Sequence, residues 1–362
     1  MTVPLFDTAT QLAPLRQAIR DAVAGVLESG RFVLGPEVDA FEKEFASYVG
    51  ANEAVGVANG TDAITIALRA MGVGPGDEVV VPSFTFFASA EAIPATGARA
   101  VFCDIDPATY CVTADSVRAA LTPRTKAVLA VHLFGNVAPV KEIEKLGVPV
   151  LEDAAQAAGS LGPTGRPGAL GTAATFSFYP SKNLGAFGDG GAITTSDAAL
   201  AERVRALRLH GSRDKETFEE VGYNSRLDEL QAAILRVQLP HLDAWSAGRR
   251  AAGRAYADAG LGDLVSLPLA TAGSAPAWHL YVIRAARSDE LEASLRAMGI
   301  SARSYYRVPT HLQPAFGAAL ELPGTAEAAS TNLALPMSPS LSARQVAEVV
   351  AGVRRALGMP EA

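Results

Sequence analysis

The chain has 362 residues, which at ~150 residues per domain corresponds to roughly 2.4 domains, so two domains or one large α/β unit. Hydrophobic residues make up 49% of it and charged residues 19%, a balance that excludes a disordered or coiled-coil protein. With 31 basic residues against 38 acidic ones the net charge is -7, which disfavours nucleic acid or an anionic membrane as partner and leaves room only for a local basic pocket.

Cys103 and Cys111 are the only cysteines, too few for a disulfide framework, so a reducing compartment is expected. The segment from Met1 to Asp7 has neither a basic nor an apolar leader region. The apolar stretch 127–140 is interrupted by His132 and Asn136 and falls short of the ~20 residues that span a bilayer. A cytoplasmic protein without a membrane partner is expected.

Short, β-branched runs at 54–58, 78–81, 99–104, 126–132 and 148–152 predict strands, and helix-period segments at 61–70, 87–95, 115–121 and 139–145 predict the helices after them. This alternation describes βαβ units and a mostly parallel central sheet buried on both faces. Two more strands are expected at 175–179 and 192–195, separated by a long loop, 180–191, rather than by a helix. Loops of that length inside a domain are usually functional. Helices are expected at 198–209, 227–239 and 244–257, followed by a Gly, Pro and Ala-rich stretch at 260–276. Residues 278–284 with helices at 289–298 and 343–357 then form a smaller α+β domain. The expected boundary lies near residue 240, giving a large domain, 1–240, and a small one, 241–362, on which the N-terminal residues are free to pack.

Three features carry chemistry. Asp153, in Leu151-Glu152-Asp153-Ala154-Ala155-Gln156, ends a strand that should be central and buried, and a buried carboxylate needs a cationic or hydrogen-bonding partner. An N-cap or an ion pair to arginine would also satisfy it. Asn59-Gly60-Thr61-Asp62 lies between a strand and a helix, where free backbone N–H groups and a glycine suit a phosphate, or where Thr or Asp simply caps the helix. Lys182 is the only lysine between Lys145 and Lys215 and sits in a neutral, aromatic and glycine-rich segment. Disfavouring its charge would make it a nucleophilic amine able to form a Schiff base, whereas in water it would be an ordinary loop lysine.

Together these features match the needs of pyridoxal 5'-phosphate (PLP): an amine for the aldehyde, a carboxylate for the pyridine nitrogen and N–H donors for the phosphate. Ser83-Phe84-Thr85-Phe86-Phe87 offers an aromatic wall for the ring. Glu152-Asp153-Ala154-Ala155-Gln156 and Ser177-Phe178-Tyr179-Pro180-Ser181-Lys182, with flanking segments from Ser29 to Pro36 and at Leu335-Pro336-Met337, resemble the DegT/StrS family of PLP-dependent nucleotide-sugar aminotransferases.

The resemblance implies the aspartate aminotransferase (type I) fold. It also implies that Lys182 forms the Schiff base and shuttles protons, that Asp153 pairs with the pyridinium nitrogen, that Gln156 contacts the ring hydroxyl and that Phe86 stacks on the ring. Backbone groups of Gly60, Thr61 and Asp62, with the Ser177 hydroxyl, would hold the phosphate. Asn224 would reach that phosphate from a neighbouring subunit, making a homodimer. The implied reaction takes an amino group from L-glutamate, releasing 2-oxoglutarate and leaving PMP. A keto sugar on a nucleotide diphosphate then receives it, most similar to the dTDP-linked 3-keto-6-deoxyhexose subgroup, with UDP-linked sugars as the alternative. Arg31, Arg226 and His311 lie in stretches that similar enzymes use near the sugar pyrophosphate. No metal is expected.

In Tyr305-Tyr306-Arg307-Val308-Pro309 many relatives carry His-Tyr-Pro before Val-Pro, so an extra cation is expected near the acceptor pocket. Two rival readings stand beside this one. A PLP-fold regulator is disfavoured by the intact Lys182, and a nicotinamide oxidoreductase by the lack of Gly-x-Gly-x-x-Gly spacing in Gly56-Val57-Ala58-Asn59-Gly60-Thr61.

Overall fold

The structure is a computed structural model and describes residues 2–360. Seven strands, β1 (Glu53–Val57), β2 (Glu78–Pro82), β3 (Arg99–Cys103), β4 (Thr125–Val131), β5 (Val150–Asp153), β6 (Ala173–Ser177) and β7 (Gly191–Thr195), form one sheet. Its order is β1-β7-β6-β5-β4-β2-β3. Strand β7 runs against both of its neighbours and all other pairs are parallel. Its reversal follows from the absence of a helical crossover between β6 and β7, since parallel neighbours need one.

Strands β2, β5 and β7 are buried along their whole length, as continuous apolar runs covered on both faces require. Helices Gly60–Ala70 and Ala198–Arg208 cover one face, where Ile64, Ile66 and Leu68 meet Leu200, Val204 and Leu207. Helix Pro36–Val49 presents Phe41 and Phe45 to Phe176 and Phe178, with ring centroids 4.8 to 5.4 Å apart. Three backbone N–H groups at that helix's start, those of Gly35, Glu37 and Val38, donate to the Glu229 carboxylate.

A second, antiparallel sheet pairs β8 (Tyr281–Arg284) with β9 (Asn332–Leu335). Val3, Tyr256, Ile283, Leu295, Val349 and Val353 pack in one apolar cluster there. The N-terminal segment lies against this part, with Val3 bridged to Ile300 and Phe6 stacked on His279.

The strands expected at 175–179 and 148–152 lie at Ala173–Ser177 and Val150–Asp153, and two further differences have a local cause. The helix expected at 87–95 stops at Glu91 and gives way to a 3-10 turn, Pro94–Thr96, because proline removes a donor and clashes with the preceding turn. The segment expected to be extended from 278 begins its strand only at Tyr281, since Trp278 takes a left-handed φ of 40°.

Because β1, β4, β5 and β6 point the same way, Val57, Val131, Asp153 and Ser177 end at one edge of the sheet, and reversed β7 starts there at Gly191. Ligands of open α/β sheets bind outside the carboxyl ends of strands.

Candidate active site

At that edge a cleft of about 700 Å³ is lined by Gly60, Thr61, Asp62, Phe86, Asp153, Gln156, Ser177 and Lys182. Every cofactor-site residue expected from the sequence is therefore in it except Asn224.

The helix Gly60–Ala70 starts where β1 ends, and Asn59 caps it by accepting the Asp62 N–H at 2.8 Å. The cap is thus Asn59, neither Thr61 nor Asp62. It commits the Asp62 N–H and leaves those of Gly60 and Thr61 at the positive end of the helix dipole as the donors an anion would meet. Gly60 packs so closely that a Cβ there would lie 2.8 Å from the Ser177 Cβ, so no larger residue fits. The Ser177 Oγ accepts from the Tyr179 N–H at 3.3 Å, which leaves its proton to donate.

Asp153 is 5% exposed. Its Oδ2 accepts from the Ser89 hydroxyl at 2.7 Å and its Oδ1 from the Ala155 N–H at 3.1 Å, and Ser89 is linked in turn to Thr85 at 2.9 Å. Neither an N-cap nor an arginine supplies its partners. Its neighbour Glu152 points to the other side of the strand and has a structural part, meeting His132 at 2.8 Å and accepting from the Leu170 and Gly171 N–H groups.

Lys182 sits in the 180–191 loop, which is tied down on both flanks. The Ala186 N–H donates to the Phe178 carbonyl, Gln238 Nε2 donates to the Gly185 carbonyl, and Asn183 Nδ2 reaches the Ala277 carbonyl at 3.1 Å. Loss of water around the half-buried ammonium lowers its pKa to about 8, against the opposing pull of Asp153. Burial, with the charges of Lys182 and Arg249, holds nearby His279 far below the usual histidine range, so it lines the cleft as a neutral ring. Phe86 is 57% exposed on the cleft wall. The unpaired donors at Gly60 and Thr61, the carboxylate of Asp153, the deprotonable Lys182 and this open ring form a donor set that fits PLP.

Sequence reasoning missed Phe6, Ser89, His279 and Arg303 and placed Tyr306 only in a stretch near the acceptor pocket, whereas all five line the cleft. Only Arg303, by its charge, carried a usable signal. The substrate candidates lie elsewhere in the chain. Asn224 and Arg226 line a separate pocket of about 440 Å³, which shares Asp189 with the cleft, and Arg31 is exposed outside both. His311 is buried, hydrogen-bonded through Nδ1 to the Ser83 hydroxyl, and lines an outer cavity rather than the cleft. The extra cation, Arg307, turns away to Asp289 and Glu292 on helix Ser288–Ala297.

The fold, with Lys182 and Asp153 lining one cleft at the carboxyl ends of the strands, defines an α/β enzyme of the type I aminotransferase architecture. The DegT/DnrJ/EryC1/StrS aminotransferase family model matches residues 14–354, and the chain belongs to that family. A Geobacillus stearothermophilus protein named a pleiotropic regulatory protein is 46% identical, with 97% of each chain covered. The dTDP-3-amino-3,4,6-trideoxy-alpha-D-glucose transaminase of Streptomyces venezuelae is 46% identical over 97% of this chain and 95% of its own. A UDP-N-acetyl-3-dehydro-alpha-D-glucosamine 3-aminotransferase of Acidithiobacillus ferrooxidans is 43% identical, with 98% of each covered. The solved structure of S. venezuelae DesV in complex with a ketimine intermediate superposes with a TM-score of 0.96 at 44% identity, covering 99% of this chain and 100% of that one.

Proposed function

We propose that this aminotransferase uses PLP to move an amino group from L-glutamate to the keto carbon of a dTDP-linked 6-deoxyhexose. The observation that carries the chemistry is the meeting of a low-pKa Lys182 with a hydrogen-bonded Asp153 in one cleft. Bound PLP supplies an electron sink for the charge left when a proton leaves the substrate carbon.

Lys182 would hold the cofactor through Nζ, and its free amine would take and return the proton at the reacting carbon. Asp153, fixed by Ser89 and the Ala155 N–H, keeps the pyridine nitrogen protonated. Gly60, Thr61 and the Ser177 hydroxyl hold the phosphate, with the Asp62 N–H in a lesser part because Asn59 already takes it. Gln156 binds the ring hydroxyl and Phe86 stacks on the ring.

Asn224, Arg31 and Arg226, which are off the cleft of their own chain, act across a homodimer, the two arginines on the sugar pyrophosphate. His311 is assigned a supporting part at Ser83 instead of a substrate contact. The chain divides near residue 240 into a cofactor-binding part, 1–240, and a smaller part, 241–362. No helix among the described residues is long and apolar enough to cross a membrane; the proposed site of action is the cytoplasm.

The dTDP reading rests on the Streptomyces venezuelae relative, and the UDP alternative on the Acidithiobacillus one. Incubating the enzyme with glutamate and a panel of dTDP- and UDP-linked keto sugars, scored by product mass, separates them. Amination of a dTDP-linked 3-keto sugar is expected. Turnover confined to UDP-linked sugars would move the assignment to the alternative, and no turnover with any acceptor would favour a silent binding or regulatory protein.

A further inference from the structure

Gln156 lines the cleft with its amide held from two sides. The Phe134 N–H donates to Oε1 at 2.7 Å, and Nε2 donates to the Tyr306 hydroxyl at 3.2 Å. Only the carbonyl end of an amide can satisfy an N–H, so the oxygen faces Phe134 and the amino group faces Tyr306. Nε2 keeps its second hydrogen, and Tyr306, having accepted at Oη, keeps its own proton to give.

Both holding residues have left-handed backbones, Phe134 with φ 58° and Tyr306 with φ 59°, a conformation that bulky residues rarely adopt. Their rings stack in parallel at 6.1 Å and 5°, and Phe84 meets each of them edge-on. Strained residues of this kind persist where their surroundings over-determine them, and they cluster at ligand sites. Burial raises the Tyr306 phenol well above its ordinary pKa, so it remains a donor throughout the working pH range.

We propose that Tyr306 is a positioning residue for the cofactor: with the Phe134 N–H it locks Gln156 as a donor, so that the cleft presents two hydrogens to one anionic ring oxygen. This rests on the reading of the cleft as a PLP site, and it joins a residue from the C-terminal part of the chain to the floor of that site.

Tyr306→Phe keeps the ring and its stacking while removing one donor and the acceptor that holds Nε2. The test is a pH titration of the bound cofactor's visible absorbance in the holoenzyme, beside a thermal melt. A ring oxygen deprived of a donor keeps more negative charge and holds the adjacent proton more tightly. The midpoint is therefore expected to move up by on the order of one pH unit. Gln156→Glu, whose oxygens would accept from both Phe134 and Tyr306, shifts it further in the same direction and serves as the readout if Tyr306→Phe does not fold. A purely structural Tyr306 would lower the melting temperature and leave the midpoint at the wild-type value, which would overturn the proposal while the PLP reading stands. Wild-type protein that takes up no PLP would overturn both.

Discussion

The cleft has two walls that are built differently. The floor holds Gly60 and Asp153 on a helix start and a strand end, where the sheet register sets their positions, and Lys182 on the loop that the Gln238 and Asn183 side chains tie down beside them. The facing wall, Arg303 to Tyr306, and the chain that runs on from it to His311 are irregular, with a shape that comes from long-range contacts. There Tyr305 is held by the Asn332 side chain, Tyr306 by Gln156, and Arg307 by Glu292 and Asp289. The floor is thus suited to chemistry shared across a family, because backbone pairing fixes most of its geometry. The chain beyond Tyr306, which depends on side chains, is where sequence can vary without disturbing the reaction.

If that contrast is right, changes in the floor should abolish chemistry and changes in the outer wall should barely touch it. The largest effect is expected from Lys182→Ala, which should lower transamination by about 10⁴-fold or more, measured by single-turnover product formation. Asp153→Asn keeps the shape but removes the charge, and a fall in kcat of about 10³-fold is expected. A near-normal rate would refute its role.

The third prediction concerns pH. On the proposed mechanism the nucleophile is the neutral Lys182 amine, whose pKa burial lowers to about 8. The rate at which PLP-free protein captures PLP should therefore rise about tenfold per pH unit below that value and level off above it. A rate still rising past pH 10 would mean an ordinary lysine. The smallest effect belongs to the wall: Arg307→Ala removes partly exposed ion pairs and should cost less than about 1 kcal/mol of stability with KM for the sugar nucleotide unchanged. A large rise in KM would place Arg307 in the acceptor pocket after all.

The same contrast explains what could be read without a structure. Asp153, Gly60 and Lys182 announce themselves because strand ends, turns and helix starts have short-range signals: a β-branched run, a glycine, a loop with no helical period. Ser89 touches Asp153 across 64 positions of chain and Tyr306 touches Gln156 across 150, and no local pattern encodes either contact. His311 and Arg307 carry chemically suggestive side chains, but direction decides their part, and direction is set by Ser83, 228 positions from His311, and by Asp289 and Glu292 on a neighbouring helix. Pro94 did carry its own signal, since a proline inside a helical period marks where the helix ends.

The central claim is that Lys182 holds PLP as a Schiff base and exchanges it for an amino group. Reducing the purified, PLP-loaded protein with borohydride and locating the modified peptide by mass spectrometry tests this directly. A single phosphopyridoxyl adduct on Lys182, abolished when L-glutamate is added before the borohydride, is the expected result. An adduct on another lysine, or one at Lys182 that glutamate does not prevent, would contradict it.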